Sequence, residues 1–208
     1  MSELRMEVIL EYIGLLGSFA LAISGSLKAM DKQFDPFGVF IIAFVTAVGG
    51  GTIRDILIEK REVFWFSSPQ YLYYIIAGTV LAIIFRRQAN KAKRTLMVFD
   101  TVGLGLFTVT GVQIGLSFGL DTVTCLILGT MTGSFGGVIR DILVNEVPVI
   151  FHKEVYATIC IAGGAIYIAL YRYGMENPYL QLIPIFFIIL ARFVVVYFKI
   201  TLPSIYGK

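Results

Sequence analysis

The sequence contains few of the residues that bind metals, form disulfides or face water. Of its 208 residues, two are cysteine, one is histidine and only 15% are charged. Cys125 and Cys160 both lie in apolar stretches, and the chain has no CxxC pair and no cysteine–histidine cluster. These shortages argue against a metal centre, a cofactor and a disulfide framework. They also argue against an enzyme, because no nucleophile–base constellation or separate soluble domain is present.

Apolar residues are what the chain has in abundance. Hydrophobic residues make up 57% of the sequence, and the mean hydropathy is +0.83. Soluble domains average about 45–50% apolar and about 25% charged residues. The composition therefore predicts an integral membrane protein, and the net charge of +3 gives no sign of a nucleic-acid partner. The N-terminal segment carries acids and has no basic region before a cleavage site, so we expect a retained first helix rather than a signal peptide.

The apolar residues fall into seven stretches that are suited to crossing a bilayer. A transmembrane helix needs roughly 20 mostly apolar residues. The predicted spans are 8–27, 37–58, 71–85, 96–118, 122–144, 155–171 and 179–198. The loops between them are too short for another domain, so residues 1–208 are expected to form a single all-α polytopic membrane domain.

The chain repeats itself with an offset of 86 residues. Residues 50–57 read GGTIRDIL, and residues 136–143 read GGVIRDIL. Further matches at the same offset predict a first three-helix repeat over 8–86 and a second over 96–172, with 179–198 as a seventh helix. Because three is odd, the second repeat must enter the membrane from the opposite side. The predicted fold is thus a pair of inverted repeats.

Basic residues predict the orientation. Twelve of the 17 lysines and arginines fall on one side of the predicted spans, and the loop 86–94, RRQANKAKR, dominates. By the positive-inside rule this side is cytoplasmic, so we expect the N-terminus outside and the C-terminus inside a prokaryotic plasma membrane. The loop also has a functional interpretation, as a site for lipid headgroups.

Glycines interrupt the second and fifth spans. Gly49, Gly50 and Gly51 form a run in the second span, and Gly136 and Gly137 follow Phe135 in the fifth. Each glycine in a helix costs about 1 kcal/mol relative to alanine, so both helices are predicted to be broken there. A broken helix would free the carbonyl oxygens of Val48, Gly49, Ser134 and Phe135 for a monovalent cation. Polar side chains near these breaks are Thr46, Thr52, Thr132 and Ser134. The alternative is that the glycines only let helices pack closely.

An arginine–aspartate pair follows each glycine group. Arg54–Asp55 and Arg140–Asp141 are ionisable residues in apolar surroundings, which by default indicates a functional site. Sequence neighbours do not face each other on a helix, so Arg54 is expected to pair with the acid of the other half or with polar groups along a path. The alternative is that the pairs sit at opposite interfaces and lock the helix ends.

Seven spans, two three-helix repeats and a GG-x-IRD segment in each repeat resemble the prokaryotic trimeric intracellular cation (TRIC) channels, a family also labelled as a glycine-transporter domain. The resemblance covers nearly the whole chain. It implies a homotrimer in membrane lipids, with one pore per subunit lined by the second and fifth helices and conducting potassium and sodium. The alternative function is a secondary transporter of a small amino acid such as glycine, because broken helices serve carriers equally well.

Overall fold

The computed structural model describes residues 2–59, 61–85, 92–152, 155–175, 179–201 and 203. Within these residues there are seven helices of 15 residues or more, one four-residue helix and one 3₁₀ turn. The α-helices are α1 (Ser2–Asp31), α2 (Pro36–Leu57), α3 (Phe64–Ser67), α4 (Gln70–Ile84), α5 (Ala92–Ser117), α6 (Thr122–Leu143), α7 (Ala157–Arg172) and α8 (Leu182–Tyr197), and a 3₁₀ turn spans Val149–Phe151.

The helices α2 and α6 begin in the same way. The side chain of Asp35 accepts a hydrogen bond from the Gly38 amide, and the side chain of Asp121 accepts from the amides of Val123 and Thr124. Such N-caps satisfy amides that have no partner inside the helix. A hydrogen bond from the Thr124 hydroxyl, together with the amide bonds, holds the pKa of Asp121 below its usual value. The two aspartates are 86 residues apart, so the sequence repeat fixes equivalent starts for the two helices.

The packing is built around contacts between the two halves of the chain. Helix α1 packs against α2, α4 and α5, while α5 packs against α6, α7 and α8. Helices α2 and α6 pack against each other across the centre. Small residues allow the close approaches. For example, the ring of Phe107 lies over Gly17 and the side chain of Leu21 lies over Gly103, a pair of contacts related by the 86-residue offset.

Each of the seven predicted spans lies on a long helix. In the part of the chain that the structure describes, four helices have the length and hydropathy to cross a membrane, namely those at Val8–Asp31, Pro36–Leu57, Arg94–Ser117 and Thr122–Leu143. The other three, at Gln70–Ile84, Ala157–Arg172 and Leu182–Tyr197, are apolar but shorter. Arg86, Arg87 and Lys91 of the basic loop lie outside the described residues.

The prediction that the second and fifth spans are broken at their glycines is wrong. Both α2 and α6 are continuous α-helices through their glycines. The cost of glycine in a helix is small beside the tertiary packing that it allows, and both glycine groups lie in a contact that needs them, as described below. A bend without loss of helical structure stays a prediction.

An ionic contact joins the end of α1 to the segment after α6. The Glu146 carboxylate pairs with the ammonium groups of Lys28 and of Lys32, the latter at 2.8 Å. The two lysines lower the pKa of Glu146 to about 2. The contact places the end of α1 and the segment after α6 next to each other.

This contact predicts an acid-dependent loss of stability. Because the pKa of Glu146 is lower in the folded protein, the stabilisation is complete at neutral pH and is lost as pH falls from the ordinary value of 4.5 towards about 2. We expect Glu146→Gln to lower the thermal unfolding midpoint at pH 7 and to flatten its fall over that acid range. Unfolding in detergent micelles across this range measures both effects. An unchanged acid dependence in the variant would contradict the assignment.

Candidate functional site

The first glycine of each repeated motif lies where α2 and α6 touch. A Cβ atom added at Gly50 would overlap the carbonyl oxygen of Thr132, and one added at Gly136 would overlap the carbonyl oxygen of Thr46. The two contacts are reciprocal, since each threonine lies four residues before the glycine of its own helix. The backbones therefore meet without intervening side chains, which is the close-packing interpretation of the glycines.

The neighbouring hydroxyl groups are turned towards their own helices. Thr46 and Thr132 are buried and donate hydrogen bonds of 2.6 Å to the carbonyls of Ile42 and Leu128. The hydroxyls of Thr52 and Ser134 donate in the same way, four residues back along α2 and α6. Thr52 also accepts a 3.0 Å hydrogen bond from the indole nitrogen of Trp65. Lone hydroxyls in apolar helices commonly bond in this way.

The predicted carbonyl site for a cation is not opened in this structure. The carbonyls of Val48, Gly49, Ser134 and Phe135 belong to uninterrupted helix. In such a helix each carbonyl is directed along the axis to the amide four residues on. These four groups become cation ligands only if α2 and α6 unwind, so their role stays a prediction.

Arg140 lies in a buried cluster that contains two carboxylates. Its Nη1 donates to Asp100 Oδ1 at 2.6 Å and to the Ser24 hydroxyl at 2.8 Å. Its Nε donates to Asp141 Oδ1 at 2.9 Å. The hydroxyl of Tyr156 donates to the other oxygen of Asp100 at 3.1 Å. All five side chains are buried, and the pairing offsets the cost of removing these charges from water.

Arg54, the equivalent arginine of the first half, lies in a different environment. Its Nη2 is 2.8 Å from Asp55 Oδ1, and that oxygen also accepts from Arg61 Nε at 2.6 Å. The guanidinium lies 5.5 Å from the centre of the Phe64 ring. Two arginines thus share one carboxylate here, whereas one arginine has two carboxylates at Arg140.

The predicted pairing of Arg54 with the acid of the other half does not occur. Each arginine instead pairs with the aspartate next to it, because the long side chain folds back at the end of its helix. The aspartates have a second partner in the following segment. Asp55 accepts from the Phe64 amide at 2.9 Å, and Asp141 accepts from the Val149 amide at 3.4 Å. This agrees with the alternative in which the pairs lock the helix ends.

A cavity opens beside Arg54. It has a volume of about 440 Å³ and lies between α1, the end of α2, α4 and α5. Arg54, Arg61, Glu11, Glu62 and Tyr71 contribute its polar groups. Beside Arg140 the corresponding space is only about 10 Å³. The protein therefore has a sizeable cavity beside Arg54 and almost no space beside Arg140.

The two sites differ at several matched positions, such as Arg61 and Val147, and the additional carboxylate is one of these differences. Asp100 lies 86 residues after Gly14, so the first half has glycine where the second has the additional carboxylate. The role of Asp100 was not predicted, although an acid without a match in the other repeat was a usable signal. Tyr71 and Tyr156 gave no such signal, because aromatic residues are common throughout the apolar stretches.

The acidic and sulfur side chains do not suggest a metal centre. Within the described ranges, no group of three or more His, Cys, Asp or Glu side chains could hold a metal ion. Cys125 and Cys160 are buried free thiols.

Comparison with known proteins identifies relatives along nearly the whole chain. A family profile described as "Glycine transporter" matches residues 11–87 and again 97–172. A UPF0126 membrane protein of Vibrio cholerae is 36% identical over 205 residues, which is 98% of this chain and 86% of the relative. The UPF0126 inner membrane protein YadS of Escherichia coli K12 is 34% identical over 195 residues, or 93% of this chain and 94% of that protein.

Solved structures with the same fold include cation channels. The TRIC channel orthologue from Rhodobacter sphaeroides has a TM-score of 0.87 at 31% identity, covering 92% of this chain and 99% of that one. A prokaryotic TRIC channel crystallised in 0.5 M KCl also has a TM-score of 0.87 at 31% identity, with 93% and 98% coverage. A TRIC channel from C. elegans with bound Ca²⁺ has a TM-score of 0.61 at 14% identity, which shows the shared fold alone.

Proposed function

Because the chain belongs to the membrane-protein family that the glycine transporter profile describes, together with the prokaryotic TRIC channels, we propose that it is a cation channel. The observation that carries the proposal is the cavity of about 440 Å³ that Arg54 and other charged side chains line. Four helices long enough to cross a membrane and a relative named as an inner membrane protein support a multi-pass protein of the inner membrane.

The proposed pore lies between two inverted three-helix repeats, one pore in each subunit of a homotrimer. Reciprocal contacts at the 86-residue offset and the two matches of one family profile support the repeats. The Rhodobacter sphaeroides relative is named as a trimeric channel, which supports the assembly. The shorter helices α4, α7 and α8 then cross the membrane as well, with the N-terminus outside and the C-terminus in the cytoplasm.

In this proposal the structure corresponds to a closed channel. The backbones of α2 and α6 touch at Gly50 and Gly136, and the Arg140 cluster fills the far side. Conduction then requires α2 and α6 to separate or unwind and the cluster around Arg140 to open. Glu11 and Glu62 at the cavity would attract cations, while Arg54 would oppose them.

Arg54 gives a physical reason for preferring monovalent ions such as potassium and sodium. A fixed positive charge repels a divalent ion twice as strongly as a monovalent one at the same distance. Arg54 is only 2% exposed, so water screens its charge weakly. Asp55 retains Arg61 as a partner when Arg54 is changed, which makes the following substitution feasible.

We expect Arg54→Gln to raise the permeability of calcium relative to potassium several-fold, because the repulsive charge is gone. Reversal potentials with potassium on one side of a planar bilayer and calcium on the other measure the ratio. Arg172→Gln is the matched control, since Arg172 bonds Thr122 outside the cavity. An unchanged ratio in Arg54→Gln would remove this residue from the selectivity mechanism.

A carrier of a small amino acid is the second candidate, because a large cavity beside Arg54 and a very small one beside Arg140 also fit an alternating-access transporter. Two assays on the same preparation separate the functions. Discrete unitary currents in planar bilayers with symmetric potassium chloride support the channel. Saturable uptake of labelled glycine into liposomes, without such currents, supports the carrier and contradicts the channel.

A further inference from the structure

The second half of the chain contains its own carboxylate-binding site. The Asp100 carboxylate is bound by the Arg140 guanidinium at 2.6 Å and by the Tyr156 hydroxyl at 3.1 Å. An arginine and a tyrosine thus hold one carboxylate between them. Charge-assisted hydrogen bonds of this kind are the strong ones in proteins.

The first half also has an arginine and a tyrosine near the same place, but it lacks the acid. Arg54 lies 86 residues before Arg140. Tyr71 and Tyr156 both lie at the start of the following long helix, although the offset matches Tyr71 with Ala157, so the two tyrosines are displaced by one position. Gly14 stands in place of Asp100. A Cβ atom added at Gly14 would overlap the hydroxyl of Tyr71, so the chain itself has no room for a side chain there.

Both donors line the cavity and have spare hydrogen-bonding capacity. Arg54 is 2% and Tyr71 8% exposed, and the ring of Phe64 contacts both. Among the described residues, Arg54 has a single acidic partner, Asp55, which it shares with Arg61. The Tyr71 hydroxyl has no hydrogen-bond acceptor within the same described set. A buried guanidinium and a phenol hydroxyl facing one cavity match a carboxylate.

We propose that this cavity binds a small carboxylate-bearing solute, with its carboxylate held between Arg54 and the Tyr71 hydroxyl. The bound group takes the role that Asp100 has in the second half. The volume of about 440 Å³ lies within the usual range for small-molecule sites. Glu11 and Glu62 also line the cavity, so an amino acid can direct its ammonium group to them. Binding requires no conduction, so the site stands apart from the proposed channel, and for an amino-acid ligand it rests on the second candidate, the carrier.

The test is a titration of purified protein with carboxyl-¹³C acetate and with carboxyl-¹³C glycine, observed as broadening of the free-ligand signal. Acetate carries the carboxylate alone and glycine carries the ammonium group as well. We expect both to bind, and Tyr71→Phe to weaken both about tenfold, because a hydrogen bond to a charged acceptor is lost. Tyr73→Phe on the same helix is the matched control, since Tyr73 is 67% exposed and lies outside the cavity.

The outcomes separate the possible ligands. Tighter binding of glycine than of acetate assigns the site to amino acids, and equal or weaker binding assigns it to simple carboxylic acids. The proposal is overturned if neither probe binds, if Tyr71→Phe binds as well as the unmodified protein, or if methylammonium competes as strongly as glycine. Because binding is measured without flux, failure here leaves the bilayer result unaffected, and absence of currents leaves this result unaffected.

Discussion

Gly136→Ala is expected to destabilise the protein, whereas Gly137→Ala, one residue further along α6, is expected to be neutral or stabilising. A methyl group at Gly136 would overlap the carbonyl oxygen of Thr46, so α2 and α6 must move apart. Overpacking of this kind costs about 1–3 kcal/mol. The loss should appear as a lower thermal unfolding midpoint in detergent micelles.

The adjacent glycine supplies a matched control. A Cβ atom at Gly137 has nothing closer than 3.6 Å, which is ordinary van der Waals contact. Alanine there gains helix propensity of up to about 1 kcal/mol. Equal midpoints for the two variants would show that the close contact between α2 and α6 does not hold the fold. The same outcome would remove the physical reason for the duplicated glycines.

Asp100→Asn is also expected to destabilise the protein. The change removes one of the two carboxylates around Arg140 and leaves Asp141 as the remaining counter-charge of the buried guanidinium. The loss is therefore that of a buried hydrogen bond between charged groups, which is worth about 1.5–3 kcal/mol. We expect a large fall in the unfolding midpoint and, in bilayers, more frequent opening, because the cluster that closes the far side is weakened.

The control for Asp100→Asn is Asp121→Asn. Asp121 is an exposed N-cap, and asparagine caps helices about as well as aspartate. The control should change the midpoint little. If both variants behave alike, the Arg140 cluster contributes nothing specific, and its assignment as the closed end of the pore is contradicted.

Hydropathy predicted the helices well and their interior contacts poorly. Every predicted span coincides with a helix, because long apolar stretches must form their backbone hydrogen bonds internally in lipid. Helix α4 has 15 residues, close to the predicted span 71–85. It is shorter than the roughly 20 residues that a crossing helix needs. The short helix α3 and the 3₁₀ turn were not predicted, since they are held by Asp55 and Asp141 rather than by local propensity.

The glycine motif illustrates why the site was harder to predict than the fold. Helix propensity alone gave a broken helix at Gly49–Gly51, whereas packing keeps that helix intact against α6. The contact could not be deduced from either segment separately, because Gly50 and Gly136 each face a carbonyl of the other half. Likewise, of the interpretations left open for Arg54, pairing with the acid of the other half does not occur, because a long side chain can fold back onto the aspartate next to it.

The mismatch between Gly14 and Asp100 is more informative about the site than the repeated motif itself. Aligning the two halves places Gly14 opposite Asp100, and that difference accompanies the contrast between the open cavity at Arg54 and the closed cluster at Arg140. A repeat predicts equivalent backbones, and its mismatches indicate where the two halves have different roles.

The most direct test of the account is the reversal potential of unitary currents from the purified protein in a planar bilayer under a potassium chloride gradient. A cation channel with acids at its entrance should reverse close to the equilibrium potential of potassium. Reversal at zero or towards the chloride potential, or the absence of unitary currents alongside saturable glycine uptake, would contradict it.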